Sequence, residues 1–183
     1  PAIVGELMPR IRFPGGSTVT DSVGGETYTL SHADIHAPGE HQLRGLTFPL
    51  EVALVHFAQD GRPLVVSVLY KEGASSPLLA ALSSSFPAAA GATVKRGIVV
   101  DPSELLPAEK TYYRYTGSLT VPPCTGNAPV FVMDGFAHAS RGQIEALRAA
   151  FGGNARAVQP AYGRRPREYR AAADAKVPVP LEK

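Results

Sequence analysis

The chain has 183 residues, a formal net charge of +2 and 44% hydrophobic residues. This size and composition suit one globular domain, exclude a fully disordered chain and give no reason to expect nucleic-acid binding. No run approaches the roughly 18 apolar residues that a membrane-spanning helix needs. Because Cys124 is the single cysteine, the chain contains no internal disulfide.

Short runs rich in β-branched and aromatic residues predict a mainly β protein. In chain order, the predicted strands cover residues 27–35, 50–57, 64–70, 112–120 and 130–133. Turn residues separate these runs, since Asp60-Gly61 predicts a hairpin and Asp134-Gly135 predicts a further turn.

Two short helices are predicted from their first residues. Ser76 precedes Pro77, a proline suited to the first helical position. Ser140 and Gln143 have the spacing of a capping box, so a second helix should begin after Ser140. Residues 1–165 form the predicted domain, and residues 166–183 are predicted to be an extended C-terminal tail.

Three segments of the chain resemble the α-class carbonic anhydrases. They read HAPGEH at 36–41, FPLEVALVH at 48–56 and YYRYTGSLTVPPC at 112–124. The similarity runs from about Phe13 to about Arg165. It implies a large, mostly antiparallel twisted sheet with short peripheral helices, and an N-terminal segment that this chain lacks.

The resemblance places the three zinc ligands of the family at Asp34, His36 and Ala53. Alternate residues of a strand share a face, so two imidazoles from one strand and one from a neighbour can converge on zinc. Here Ala53 has no donor atom, and the carboxylate of Asp34 is shorter than an imidazole. His32 lies about 13 Å along the strand from His36, too far to rescue the site. We therefore expect no metal and no cofactor, with zinc only under an alternative hypothesis.

The resemblance also assigns the surroundings of the site. Thr120 matches the residue that orients the zinc-bound hydroxide, and Glu40 matches its hydrogen-bond acceptor. Glu51 matches a carboxylate that steadies the third histidine, and His32 lies at a position that supports the ligands without touching zinc. The wall against which carbon dioxide lies is assigned to apolar residues, namely Val55, Val66, Leu119, Val121 and Val130.

Ordinary structural roles compete with these assignments. Asp34 and His36 can form an ion pair, which His32 could share, and His41 and His56 can be structural hydrogen-bonding residues. Because the imidazole partner of Glu51 is gone, we expect water, a neutral carboxyl group or a new polar partner beside it.

Cys124 bears on the cellular compartment. In bacterial members of the family, a cysteine after the double proline pairs with one near the N-terminus, which would lie upstream of Pro1. Such a disulfide implies the periplasm or the cell exterior. Without it, Cys124 is a small buried apolar residue.

The sequence predicts a carbonic anhydrase-like protein without hydratase activity, serving as a structural or partner-binding subunit of a larger assembly. One alternative is an active enzyme with an atypical metal site of Asp34 and His36. Another is a small-ligand binder that uses the former active-site cone. Other protein subunits are the expected partners, and contact with an anionic membrane is expected only through the basic residues Arg164, Arg165, Arg167 and Arg170.

Overall fold

The fold is built around one large β-sheet. The computed structural model describes residues 2–4, 10–13, 15–83, 94–96, 100–151, 153–171 and 178–180. The strands in these residues are β1 (Ala2–Val4), β2 (Arg10–Arg12), β3 (Thr18–Asp21), β4 (Glu26–His36), β5 (Gln42–Leu43), β6 (Leu46–Thr47), β7 (Leu50–Phe57), β8 (Pro63–Glu72), β9 (Val94–Arg96), β10 (Thr111–Ser118), β11 (Gly126–Ala139), β12 (Arg167–Ala171) and β13 (Pro178–Pro180). The helices are α1 (Pro77–Ser83), a 3-10 helix (Pro102–Leu105) and α2 (Arg141–Phe151).

The main sheet has nine strands in the described part of the chain. Their order is β13-β12-β10-β11-β8-β7-β4-β2, and β3 also pairs with β4. Strands β8 and β11 run parallel, whereas the other neighbours are antiparallel. The predicted mainly β class, with a large and mostly antiparallel sheet, is therefore confirmed.

Both faces of the central strands are covered, which explains why β7 and β8 read as nearly continuous apolar runs. Leu50, Val52 and Leu54 of β7 belong to the larger apolar core on one face. Helix α2 packs into that core through Ile144 and Leu147. The alternate residues of β7 face a smaller apolar cluster on the opposite face, and this second face carries the candidate site.

The predicted helix starts and hairpin agree with the structure. The backbone N–H of Leu79 donates to the hydroxyl of Ser76 at the start of α1. At the start of α2, the backbone N–H of Gln143 donates to Ser140 Oγ, and the N–H of Ser140 donates to the side-chain oxygen of Gln143. Residues 58–62 connect the antiparallel strands β7 and β8, and Gly61 there has a φ of +85°.

Two expectations about the C-terminal half are corrected. Asp134-Gly135 does not form a turn between strands, because both residues lie within β11, where the pairing with β8 shifts register. The predicted tail contributes β12, which pairs with β10, so the sheet extends beyond residue 165. Tyr169 is buried there and stacks on Tyr112, with ring centroids 5.7 Å apart. Residues 172–177 and 181–183 of the predicted tail lie outside the described residues.

The helices in the described residues have at most 11 residues. None of them is both long enough and apolar enough to cross a membrane.

Candidate functional site

The candidate site lies where β4 and β7 pair on the second face of the sheet. Asp34 stands opposite Ala53, and His36 stands opposite Glu51. Opposite residues of an antiparallel pair share a face, so these side chains converge on one cavity of about 170 Å³. The residues predicted for the site that line it are His32, Asp34, His36, Glu40, Glu51, Ala53, Val55, Leu119, Thr120, Val121 and Val130.

Val66 is the exception among the predicted wall residues, and its assignment is wrong. It lines a different cavity, of about 710 Å³, and belongs to the larger core on the other face of the sheet. Its neighbour Val65 lines the site instead. Because strand side chains alternate, a shift of one residue along the Val65-Val66 pair moves the assignment to the wrong face.

Asp34 is held in an ion pair with Arg10 of β2. Arg10 Nε lies 2.6 Å from Oδ1 of Asp34, and Nη2 lies 2.8 Å from Oδ2. His32 Nε2 adds a weaker contact, 3.6 Å from Oδ2. Burial alone would raise the pKa of Asp34, but the hydrogen bonds from His32 and Arg10 hold it below its usual value. The expected ion pair between Asp34 and His36 is thus replaced by one with Arg10.

His36 is almost fully buried, and neither ring nitrogen has a hydrogen-bond partner among the described residues. Its Nδ1 lies 3.4 Å from Glu40 Oε1, but the two atoms are not hydrogen-bonded. A buried polar group without a partner costs about 1–3 kcal/mol. Among the described residues that line this cavity, His36 is therefore the side chain whose buried polar atoms lack hydrogen bonds and could bind a ligand.

Glu51 is buried, yet its carboxylate is well supplied with donors. His41 Nδ1 lies 2.6 Å from Oε1, and Ser67 donates its hydroxyl proton to the same oxygen. The backbone N–H groups of Glu40 and His41 donate to Oε2, each at 2.8 Å. Burial alone would raise the pKa of Glu51, but the charge of His41 and these hydrogen bonds hold it at about 2. Of the outcomes expected for Glu51, the structure shows a new polar partner, since His41 and Ser67 bind its carboxylate. A neutral carboxyl group disagrees with the low pKa.

His41 connects Glu51 to Tyr115. Burial lowers its pKa, but the carboxylate of Glu51 outweighs that effect, so the net shift is upward. Its Nε2 lies 2.6 Å from the hydroxyl oxygen of Tyr115. Burial and the nearby Glu51 charge raise the pKa of Tyr115 to about 12, so the phenol stays protonated. His41 acts here as the structural hydrogen-bonding residue.

Glu40 and Thr120 both line the cavity, at the positions that the resemblance assigned. Glu40 Oε1 accepts a hydrogen bond of 2.8 Å from the backbone N–H of Arg156. Nearby, Asn154 binds the end of β4: its side chain accepts from the N–H of Ala37 and donates to the carbonyl of Ile35. These bonds connect the segment after α2 to the strand that carries His36.

The three implied ligand positions offer few donor atoms to a zinc ion. These are the imidazole nitrogens of His36 and the carboxylate oxygens of Asp34, which are already bound to Arg10, whereas the methyl group of Ala53 supplies none. A catalytic zinc ordinarily takes three protein ligands and a water molecule. Within the described residues, no three His, Cys, Asp or Glu side chains are placed to hold a metal ion. This donor set does not fit a three-ligand zinc site.

Besides Val65, two polar residues that bind carboxylates of the site were missed at the level of sequence. Arg10 lies 24 positions before Asp34, and nothing in the short run Arg10-Ile11-Arg12 indicates that pairing. The sequence does contain a signal for Ser67, because it is the one serine within the apolar run of β8, and it is fully buried. Cys124, which was expected to be a small buried residue if it forms no disulfide, is partly exposed in the structure.

Comparisons with known proteins agree with the resemblance. The model of the eukaryotic-type carbonic anhydrase family matches residues 15–172. A carbonic anhydrase of Neisseria gonorrhoeae is 40% identical over 153 residues, covering 82% of this chain and 60% of the relative. The chain thus spans about 60% of the length of that relative.

Solved structures give the same result. An α-carbonic anhydrase of Thermovibrio ammonificans, in complex with the inhibitor sulfanilamide, superposes with a TM-score of 0.85 at 32% identity. The matched region covers 91% of this chain and 74% of the Thermovibrio chain. A dioscorin complexed with ascorbate has a TM-score of 0.83 at 31% identity and covers 94% of this chain and 75% of its own.

These relatives correct the expectation about cofactors. We expected none, but carbonic anhydrases use zinc, so the expectation is contradicted by the proteins that this chain is similar to. Zinc is therefore the metal against which the site has to be tested. The family model covers most of the chain, and the identity to the relatives is high over the same range. The chain belongs to the α-class carbonic anhydrase family.

Proposed function

We propose that this chain is a carbonic anhydrase homologue that has lost carbon dioxide hydration at this site and serves as a binding module. The observation that carries the proposal is the composition of the three ligand positions, where His36 is the one remaining imidazole. The carboxylate of Asp34 is already bound by Arg10 at 2.6 and 2.8 Å.

Glu51 and Glu40, which are retained around the site, can be explained by the stability of the fold as well as by a reaction. Glu51 is bound by His41 and Ser67, and Glu40 is bound by the backbone of Arg156. Each of these carboxylates therefore has a structural role in the fold that does not need a reaction. Their presence does not favour hydration over binding.

The test is a stopped-flow assay of carbon dioxide hydration together with the zinc content of the same sample. The chain should give the rate of the buffer alone, even after incubation with zinc. The variant Asp34→His with Ala53→His, which restores three imidazoles, is the matched positive control. A zinc-dependent rate of the unaltered chain would refute the loss of activity and establish the atypical enzyme.

The partner-binding role is supported by a basic surface next to the cavity, which we call the arginine surface. Arg156, Val158 and Arg164 line a groove that shares Tyr115 and Thr120 with the cavity. We include in this surface their exposed neighbours along the chain, namely Tyr162, Arg165 and Arg167, and the exposed fractions of Val158 and Tyr162 are 58% and 80%. We propose that this surface contacts an acidic protein subunit. Tagged chain should retain such a subunit from its own cell extract, and Arg165→Glu with Arg167→Glu should lose it. Equal retention by both proteins would contradict this role.

The second candidate function is binding of a small polar molecule in the cavity. The ring nitrogens of His36, which make no hydrogen bond within the described part of the chain, favour it, and the dioscorin of similar structure was solved with ascorbate. Ascorbate should then raise the melting temperature of the chain in a thermal-shift measurement, but not that of its His36→Phe variant. No shift with the unaltered chain would remove ascorbate as the ligand.

The compartment is likewise a proposal. Partly exposed Cys124 could pair with a cysteine outside this chain, which would place the protein in the periplasm or outside the cell. Mass spectrometry of the protein isolated from its own cells, without reduction, should then show Cys124 in a disulfide. A free thiol at Cys124 would contradict this placement.

A further inference from the structure

A larger cavity lies on the face of the sheet opposite the candidate site. Its volume is about 710 Å³, within the range of roughly 300–1,000 Å³ that is typical of small-molecule sites. Its floor consists of buried apolar side chains from the four central strands β4, β7, β8 and β11, namely Leu30, Leu54, Val66, Phe131 and Met133. This floor suits a hydrocarbon ligand, because a polar ligand would lose hydrogen bonds to water there without gaining new ones.

The sheet curls around this large cavity. In the strand order, β11, β8, β7 and β4 separate β10 from β3. At ~4.8 Å per strand spacing, a flat sheet would hold β10 and β3 about 24 Å apart. Yet Arg114 of β10 binds Asp21 of β3, with Nη2 2.6 Å from Oδ2 and Nε 3.0 Å from Oδ1. Thr20 of β3 and Tyr112 of β10 line the cavity, so the curled sheet supplies two walls as well as the floor.

Two hydrogen-bond donors in the lining are open to a ligand. Lys110 Nζ donates to the backbone carbonyl of Pro107 at 2.8 Å, but it forms no ion pair within the described residues, and its ammonium group has further N–H bonds to donate. The hydroxyl of Tyr112 is buried and has no hydrogen-bond partner in the same part of the chain. Asp101, the one carboxylate among the described lining residues, already accepts from a backbone N–H of the 3-10 helix.

We propose that the large cavity binds an aliphatic monocarboxylate of the medium-chain fatty acid type. The hydrocarbon chain lies on the apolar floor, and the carboxylate accepts hydrogen bonds from Lys110 and Tyr112. The ammonium of Lys110 selects an acid over a neutral molecule with the same chain, because a charge-assisted hydrogen bond is stronger than a neutral one. The site is on the other side of the sheet from His36, so the proposal does not depend on whether the chain hydrates carbon dioxide.

Calorimetric titration of the whole chain with octanoate, decanoate and decanol tests the proposal. Decanoate should bind about tenfold more tightly than octanoate, since two more CH₂ groups leave water. Decanol has the same chain without a charge and should bind more weakly than decanoate. Equal affinities for octanoate and decanoate, or no saturable binding of decanoate, would overturn the proposal.

Substitutions at the two donors test where the carboxylate binds. Lys110→Gln and Tyr112→Phe should each weaken decanoate binding by about threefold or more, and Lys110→Gln should affect decanol less than decanoate. Lys71→Gln is the matched control, because Lys71 is exposed, lies over the ring of Phe136 and is not part of the described lining. Equal decanoate affinity of Lys110→Gln and Lys71→Gln would contradict the proposed site.

A substitution in the floor tests where the chain lies. Val66→Phe fills part of the large cavity and should weaken decanoate and decanol alike. Circular dichroism shows whether this variant folds, and the chain-length series on the unaltered chain carries the test if it does not. Undiminished binding of decanoate by a folded Val66→Phe variant would refute the proposal.

Discussion

His41 pairs with the buried carboxylate of Glu51, with His41 Nδ1 2.6 Å from Glu51 Oε1. Glu51 therefore keeps an imidazole partner although position 53 is alanine. Ser67 and two backbone N–H groups complete the coordination of the carboxylate. This network stabilises the face of the sheet on which the cavity lies, and it needs no metal to be satisfied.

Removing the charge of Glu51 should destabilise the protein. Glu51→Gln removes the charge that pairs with His41 and offers an N–H group to existing donors. We expect a loss of about 3 kcal/mol in the free energy of unfolding, measured in guanidinium chloride. The control is Glu145→Gln, which breaks an exposed pair with Arg141 on α2 and should change little. An equal effect of both substitutions would show that the buried Glu51 network adds no more to the free energy of unfolding than an exposed pair does.

The stability should fall in acid through two groups in separate pH ranges. Burial lowers the pKa of His56 to about 4 from its usual 6.5. Between these values the unfolded chain binds a proton that the folded chain does not, so stability decreases as the pH falls from 6.5 to 4. Glu51 acts at lower pH. Its contribution to stability is present above pH 4.5 and is lost as the pH falls toward its folded pKa of about 2.

His56→Asn tests the upper range. The amide can donate to the carbonyl of Leu54, as the Nδ1–H of neutral His56 does at 3.0 Å, but it does not titrate. The unaltered chain should lose up to about 3 kcal/mol of stability between pH 7 and pH 4, and the variant clearly less. Identical pH profiles from denaturant unfolding would contradict the role of His56.

Asn154 should stabilise the end of β4. Its side chain bonds both the N–H of Ala37 and the carbonyl of Ile35, two residues that are buried. Asn154→Ala leaves both backbone groups without this partner, so we expect a loss of about 1–3 kcal/mol in the free energy of unfolding. Gln159→Ala, which removes one exposed hydrogen bond, is the comparison. If Gln159→Ala costs as much, the contact of Asn154 has no particular weight.

Zinc binding should recover in steps as donors are restored. Asp34→His with Ala53→His provides three imidazoles, and adding Arg10→Gln removes a neighbouring positive charge that repels a cation. Calorimetry should show zinc binding for the double variant and tighter binding for the triple variant. Weaker binding by the triple variant would indicate that Arg10 supports the site rather than opposing a cation.

Much of the fold could be predicted because local patterns decided it. The run 50–57 was predicted as a strand and coincides with β7, since both of its faces are apolar. The capping box of Ser140 and Gln143 located the start of α2. Alternation along β4 also placed His32, Asp34 and His36 on one face, which the cavity lining bears out.

The remainder depended on contacts between distant segments. The bond between Arg10 and Asp34 joins residues 24 positions apart, and local sequence carries no trace of it. The strand β12 forms because Tyr169 packs on Tyr112, not because its own sequence alternates. Val66 and Val65 have the same side chain, so only the register of β8 decides which of them faces the cavity.

The most direct test of the central claim is the initial rate of carbon dioxide hydration by the purified chain after dialysis against zinc. With one imidazole at the three ligand positions, the rate should equal that of buffer. A rate above buffer that rises in proportion to bound zinc and disappears in His36→Ala would contradict the account.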